Sequence, residues 1–370
     1  MILGRKADVR RIRAAVAAVR DPEIDGSLDE LGMLGDIRVS HSGTADVEIL
    51  LTTESCPMRG ELEARVRAAL AEVSDVDSVH VRFGVMAEHQ RMRVASGLRK
   101  GIQPGGPLDG PGPRVYAVAS GKGGVGKSSV TANLAVAMAL DGLRVGVLDA
   151  DVWGYSIPRL FGVRRSPVAM HGVMLPVRAH GVALMSVGFL VPDEEPVVWR
   201  GPMLHKAIEQ FVGDVHWDGL DVLLLDLPPG TGDVTLSVLE LLPDAALLVV
   251  TTPQPMATSV ASRVGKMARD SQMPVAGVVE NMSAALCAHC GEESALFGSG
   301  GGEELAARLE APLLGAVPLD VALREAGDAG VPAVLRAPAS RSAAELRRIA
   351  GGLPRVQRGL AGRSLPLAVV

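Results

Sequence analysis

Apolar positions change rhythm along this chain. From Asp8 to Arg20, Val9, Ile12, Val16 and Val19 recur at helical spacing. Ile37 and Val39, then Val47, Ile49 and Leu51, alternate with polar residues as half-buried strands do. Leu62, Val66, Leu70 and Val73 stripe a second helix from about Arg59 to Val73, and Val79, Val81 and Phe83 alternate again. The pattern predicts an α-β-β-α-β unit of about 80 residues, a small α+β domain spanning 7–90. A Gly/Pro-rich stretch without periodicity follows, densest from Gly97 to Pro113, and 91–113 reads as a linker.

Beyond it the strands become continuous apolar runs, Val115 to Ala119, Val145 to Leu148, Val222 to Leu225, Ala245 to Val250 and Val275 to Val279, with helical segments between. Strands apolar on both faces and alternating with helices predict an α/β domain with a mostly parallel sheet over 114–354. Such sheets bind ligands at the carboxyl ends of their strands. Residues 355–370 have no pattern and read as a tail.

Composition narrows the function. The 370 residues carry a formal net charge of only -5 and no Lys/Arg-rich patch, which argues against nucleic acid as a partner. No apolar run approaches the roughly 18 residues of a membrane span, and the charged first twenty residues do not read as a signal peptide. The three cysteines, Cys56, Cys287 and Cys290, are too few for a secreted disulfide framework, so a reducing cytoplasm is expected.

Strand Val115 to Ala119 runs into Ser120-Gly121-Lys122-Gly123-Gly124-Val125-Gly126-Lys127-Ser128, which fits G-x-x-x-x-G-K-[ST]. Glycines let backbone N–H groups curl around a phosphate chain, and a helix starting near Lys127 aims its positive end at the same anion. Lys127 adds a full charge toward the β- and γ-phosphates, and the Ser128 hydroxyl can ligate Mg²⁺. Two further apolar strands end in acids, Asp149-Ala150-Asp151 and Asp226. Asp226 is placed as a magnesium-holding acid. ATP and Mg²⁺ are therefore the expected cofactors of a P-loop NTPase.

Cys287-Ala288-His289-Cys290 follows the strand that carries Asn281-Met282-Ser283. A C-x-x-C pair can clamp one edge of a metal centre, act as a redox pair, or be incidental. Zinc or an iron–sulfur cluster needs four ligands, and the pair gives two. A symmetric dimer doubles them without any further residue.

Lys122 right after the first glycine resembles the deviant Walker A class, which includes MinD, ParA, the nitrogenase iron protein and the Mrp/ApbC proteins. Within it, Arg114 to about Arg348 resembles the Mrp/ApbC iron–sulfur cluster carrier ATPases. The matching stretches are Gly121 to Ser129, Asp149 to Gly154, Trp199 to Met203, Asp226 to Asp233, Thr252-Pro253-Gln254, Asn281-Met282-Ser283, Cys287 to Gly291 and Phe297 to Gly302. The resemblance implies nucleotide binding by Gly121, Lys122, Gly123, Gly124, Val125, Gly126, Lys127, Ser128 and Ser129. It also implies that Lys122 acts across a dimer interface, that Asp151 orients the attacking water, that Asp149 and Asp226 support Mg²⁺, and that Asn281 reads the adenine. Tyr155 stands where the family usually has proline, so the nucleotide-responsive loop is expected to switch differently. Ala288 also replaces a common proline and leaves both sulfurs in place.

Residues from about Asp8 to Val85 resemble the small domain of iron–sulfur assembly factors, through Asp21-Pro22-Glu23-Ile24, Leu31-Gly32-Met33 and Thr52 to Pro57. Pro57 suits the first position of a helix, which makes Cys56 its expected N-cap and its thiol a candidate thiolate beside Arg59. The combined reading is a cytoplasmic homodimeric ATPase that binds an iron–sulfur cluster between two chains and passes it to apoproteins, with assembly factors as further partners. The expected cluster is [4Fe–4S]; [2Fe–2S] and zinc stay open. The rival readings are a positioning ATPase like MinD or ParA and an electron donor like the nitrogenase iron protein.

Overall fold

The computed structural model describes residues 8–40, 43–53, 56, 58–74, 76–100, 112–190, 201–217 and 219–354. The tail 355–370, most of the expected linker (101–111), Pro57, Trp199 and Arg200 lie outside these residues. The chain divides into two compact units, Met1–Ile102 with Val168–Leu175, and Gln103–Pro167 with Pro176–Val370.

In the first unit, α1 (Val9–Ala17) starts at Asp8, whose carboxylate accepts the Arg10 amide. Strands β1 (Leu34–Val39) and β2 (Thr44–Leu51) pair antiparallel. Helix α2 (Arg59–Ala71) then carries the chain over to β3 (Ser78–Val85), which pairs parallel with β2 and sets Val47 beside Val81 and Ile49 beside Phe83. Ile12, Val16, Val47, Ile49, Leu62, Val66 and Leu70 are fully buried, as their spacing predicts.

Two parts of this unit differ from the expected boundaries. Helix α3 (Glu88–Lys100) occupies the first ten positions of the expected linker, with Ala95 and Leu98 buried in the small core. Its apolar stripe is only two residues deep, and exposed Gly97 and the surrounding charges disguise it. The core is completed from the far side of the sequence by a hairpin that had been assigned to the ATPase domain. Its strands, met later in the chain, bury Met170, Val173 and Leu175 among the small unit's own apolar side chains.

The second unit begins with β4 (Arg114–Ser120), α4 (Lys127–Leu140), β5 (Val145–Asp149) and the short α5 (Ile157–Leu160). The chain then leaves to form the hairpin, β6 (Val168–Met170) and β7 (Val173–Leu175), and returns as β8 (Val177–Ala179) and β9 (Val182–Ser186). Next come α6 (Gly201–Gly213), β10 (Val222–Asp226), α7 (Asp233–Leu241), β11 (Ala246–Thr251), α8 (Pro255–Asp270) and β12 (Val275–Leu286). The last elements are β13 (Glu293–Ser294), α9 (Gly301–Arg308), β14 (Leu313–Leu319), α10 (Val321–Asp328), α11 (Ala333–Arg336) and α12 (Arg341–Gly352).

The strand order β13-β12-β11-β4-β10-β5-β9-β8, with β14 also on β12, makes a nine-stranded sheet among the described residues. Only β8 and β13 run antiparallel to their neighbours. The five apolar runs all lie in this sheet. Helix α4 is apolar almost all round because it is buried twice, on the sheet and beneath α11 and α12.

Val173 has no exposed surface. Val173→Asp should therefore cost the first unit about 3 kcal/mol or more through a buried, unpaired charge. Hydrogen exchange should show faster exchange of α3 amides, while ADP binding by the second unit is retained. Unchanged α3 protection would show that the hairpin is not part of that core.

Candidate functional site

Register builds the site. Asp226 lies beside Asp149 across β10 and β5 and beside Val118 across β10 and β4, so three strand ends open side by side. The loop from Ser120 to Gly126 crosses this opening, and α4 begins at Lys127 with Gly126 at φ +81°. A Cβ on Gly126 would lie 2.2 Å from Asn281 Nδ2, and one on Gly121 would lie 2.3 Å from the Ala261 backbone nitrogen. Both positions need glycine for space, and Gly126 needs it for backbone conformation as well.

Lys127 is almost fully buried. Its ammonium lies 2.8 Å from Asp226 Oδ2 and 3.9 Å from Asp151 Oδ2. The Ser128 hydroxyl donates to Asp226 Oδ2 at 2.5 Å and the Thr131 hydroxyl to Oδ1 at 2.8 Å. A carboxylate, a hydroxyl and an ammonium thus meet where hard-oxygen ligation and phosphate charge are both expected. Asp149, also expected beside the metal, turns its oxygens to its own loop. It accepts from the Asp151, Ser156 and Ile157 amides at 3.2 Å each and from the Ser186 hydroxyl at 3.0 Å. Burial first, and then the Asp226 charge, push Asp149 up to about 7. Burial also raises Asp151, against the pull of Lys127. Asp151 accepts the Gly154 amide at 3.0 Å, which folds its loop back toward the glycines.

Two cavities adjoin the loop. One of about 550 Å³ is lined by Lys122 to Ser129, Asp151, Trp153 and Pro229, with Trp153 66% exposed at its mouth. The other, about 270 Å³, is lined by Gly126, Ser129, Arg159, Asn281, Leu323 and Arg324, among others. Asn281 donates from Nδ2 to the Val125 carbonyl at 2.8 Å, and its buried Oδ1 has no hydrogen-bond partner among the described residues. Lys122 is half-buried, with Nζ 3.4 Å from Gln254 Oε1 at the start of α8.

Thr131, Ser186, Leu323 and Arg324 were not singled out from the sequence. Thr131 carried a usable signal, one helical turn after Lys127. Ser186 did not, because its strand was not recognised.

The cysteine pair sits at the tip of a hairpin. β12 continues to Leu286, well past its expected end, and pairs with β13 through Ala285 and Leu286. The Cys287 amide donates to the Glu292 carbonyl at 2.9 Å and the Gly291 amide to the Cys287 carbonyl at 2.8 Å. Both cysteines are exposed. Amide donation from Cys290, then from His289, holds the Cys287 thiol below its ordinary range. No group of three or more His, Cys, Asp or Glu placed to hold a metal ion occurs among the described residues.

Cys56 differs from its expected place. Helix α2 starts at Arg59 with Met58 as N-cap, so Cys56 lies two residues too early to cap it. Its half-buried sulfur lies 4.0 Å from Glu23 Oε2, and the Arg59 guanidinium sits over the Phe83 ring at 4.6 Å. The helix-end geometry invoked for a stabilised thiolate is therefore missing. The proline signal misled because the helix begins at Arg59, two positions beyond the proline.

Comparison with known proteins gives the family. Residues 113–353 match the family described as NUBPL iron-transfer P-loop NTPase, and residues 10–81 match one described as iron-sulfur cluster assembly protein. A Mycobacterium tuberculosis protein named iron-sulfur cluster carrier protein is 50% identical over 365 residues, covering 96% of each chain. A protein of the same name from Deinococcus radiodurans is 44% identical over 338 residues, covering 91% of this chain and 92% of its own. Among solved structures, a nucleotide-binding protein of Archaeoglobus fulgidus in complex with ADP is 36% identical with a TM-score of 0.54, over 65% of this chain and 91% of that one.

The raised Asp149 gives a pH prediction. The folded chain keeps this proton up to about pH 7, whereas an unfolded aspartate releases it near pH 4. That contribution to stability is therefore lost as pH rises through about 7. Relative to Asp149→Asn, the nucleotide-free parent should lose about 2 to 3 kcal/mol between pH 5 and pH 8, read by urea unfolding. A difference between the two proteins that stays constant with pH would mean Asp149 is ionised throughout.

Proposed function

The chain belongs to the NUBPL-type iron-transfer P-loop NTPase family, and from that premise we propose that it is an ATP-dependent iron–sulfur cluster carrier. The cluster is cargo. Cys287 and Cys290 of two chains supply four sulfurs to one [4Fe–4S] cluster, which a homodimer holds and passes to apoproteins in the cytoplasm. No helix among the described residues is long and apolar enough to cross a membrane.

In this reading Ser128 and Asp226 hold Mg²⁺, which would supply charge to the phosphates when bound. The donor set fits, since a hydroxyl and a carboxylate already converge there beside the Lys127 ammonium. Asp149 supports the ion indirectly by fixing the loop that carries Asp151. Asp151 orients the attacking water, and its burial favours proton uptake during attack. Asn281 reads the adenine, and its partnerless Oδ1 is an acceptor suited to an exocyclic amine. Lys122 exchanges the neutral Gln254 oxygen for a phosphate across the dimer interface.

One observation carries the coupling of nucleotide to cargo: Asn281 and Cys287 lie on one strand and its immediate continuation. The six residue steps from Asn281 to Cys287 span at most about 20 Å. A shift of Asn281 against the phosphate loop therefore reaches the sulfurs through a single run of backbone, bent at Met282, whose φ is +57°. Trp153 beside the loop's cavity, Leu236 on α7 and Met256 on α8 are exposed apolar side chains suited to contact with a second copy.

Lys127→Ala should abolish ATP hydrolysis, because the charge facing the phosphates is lost. Anaerobic reconstitution should give about two irons per chain, one [4Fe–4S] cluster per dimer. Cys290→Ala should lose the cluster yet still bind ATP. Iron content and sedimentation mass on one sample decide the matter: full iron in Cys290→Ala, or a cluster on a monomer, would sink the bridging arrangement.

A further inference from the structure

A third cavity in the second unit, about 940 Å³, takes no part in the function above. Its wall combines Tyr155, Arg159, Arg164, Arg165 and Asp328. Asp328 is already paired with Arg324, whose guanidinium is 2.9 Å away. Among the described residues, Arg159 and Arg164 therefore share the cavity wall with one carboxylate that is already paired from outside it. Arg165 donates to the Arg178 carbonyl at 2.8 Å and so stiffens the wall. Arg159 and Arg164 make no ion pair with a described residue, and the Tyr155 hydroxyl makes no hydrogen bond to one.

The concavity is built rather than incidental. The Tyr155 ring lies on Gly188, where a Cβ would come within 2.3 Å of Cδ2. Gly162 and Gly330 approach so closely that a Cβ on Gly330 would sit 2.5 Å from the Gly162 Cα. Tyr155, which stands where the resembled family usually has proline, gives the cavity an aromatic face and a hydroxyl donor.

We propose that this cavity binds a small polyanion carrying phosphate or carboxylate groups, with Arg159 and Arg164 as forked donors and Tyr155 as a third. A volume of this size takes a small molecule rather than a flat protein face. The site has a direct route to the nucleotide. Arg159 and Asp328 also line the 270 Å³ cavity beside Asn281, and Tyr155 follows Gly154, whose amide holds Asp151. An anion here fixes the loop that carries Asp151, so its binding and nucleotide binding are thermodynamically linked. None of this depends on the cysteine hairpin or on the identity of the cargo.

The test uses the full chain saturated with ADP, so that the phosphate loop is filled, and titrates inorganic pyrophosphate and, separately, citrate by calorimetry. One saturable site per chain for at least one probe is expected, and the tighter of the two identifies phosphate or carboxylate as the group recognised. Arg164→Glu should weaken that binding by about tenfold or more, and Tyr155→Phe should weaken it less, as loss of a charge-assisted and of a neutral hydrogen bond would. Arg164 is exposed, so its variant should unfold at the parent's temperature. The proposal fails if neither probe saturates, if raising ADP further displaces the probe, or if Arg164→Glu binds as tightly as the parent.

Discussion

The second unit is arranged around one buried cation. Lys127 sits under the glycine loop with its ammonium against Asp226, which has no exposed surface of its own. Removing such a charge from water costs several kcal/mol, and only close, well-oriented partners offset it. Those partners come from different places in the sequence. β10 supplies Asp226, the first two turns of α4 supply Ser128 and Thr131, and the loop after β5 supplies Asp151. A parallel sheet is what brings these segments to one edge, because every strand delivers its carboxyl end to the same side. Two carboxylates, Asp226 and Asp151, lie against this single ammonium, and neighbouring Asp149 is raised by its burial first and by the Asp226 charge second.

The parts legible in the sequence share a property: their meaning is local. The glycine loop, the acids ending apolar strands and the Cys-x-x-Cys spacing each state their chemistry within a few residues, and the five core strands follow from uninterrupted apolar runs. What stayed hidden depends on partners distant in the chain. Asp149 reads as one more metal acid until its four donors are seen, two of them from the turn into α5 and one from β9. β8 and β9 are too short and too ordinary in composition to stand out between α5 and α6. Cys56 shows the opposite error, a local signal believed too far. A proline after a cysteine suggested a helix cap, but the helix waits for Arg59, whose charge is engaged on Phe83.

Domain boundaries read along the sequence assume that each domain is one stretch of chain, and this protein breaks that assumption. Val168–Leu175 lies more than sixty residues beyond Ile102, yet three of its apolar side chains, Met170, Val173 and Leu175, belong to the first unit's core. Pro167 and Pro176 bracket the excursion. Proline fixes its own φ and disfavours helix in the residue before it, so neither crossing continues as helix. The outward crossing starts only six residues after Phe161, the C-cap of α5, and the turn into α5 is hydrogen-bonded to Asp149. The first unit is therefore tied to the second by more than the stretch at 101–111. One of its ties is the backbone that leads from the acid loop of the nucleotide site, and any account of the two units as a carrier and a detachable appendage has to explain why the appendage's core is finished by the carrier's own chain.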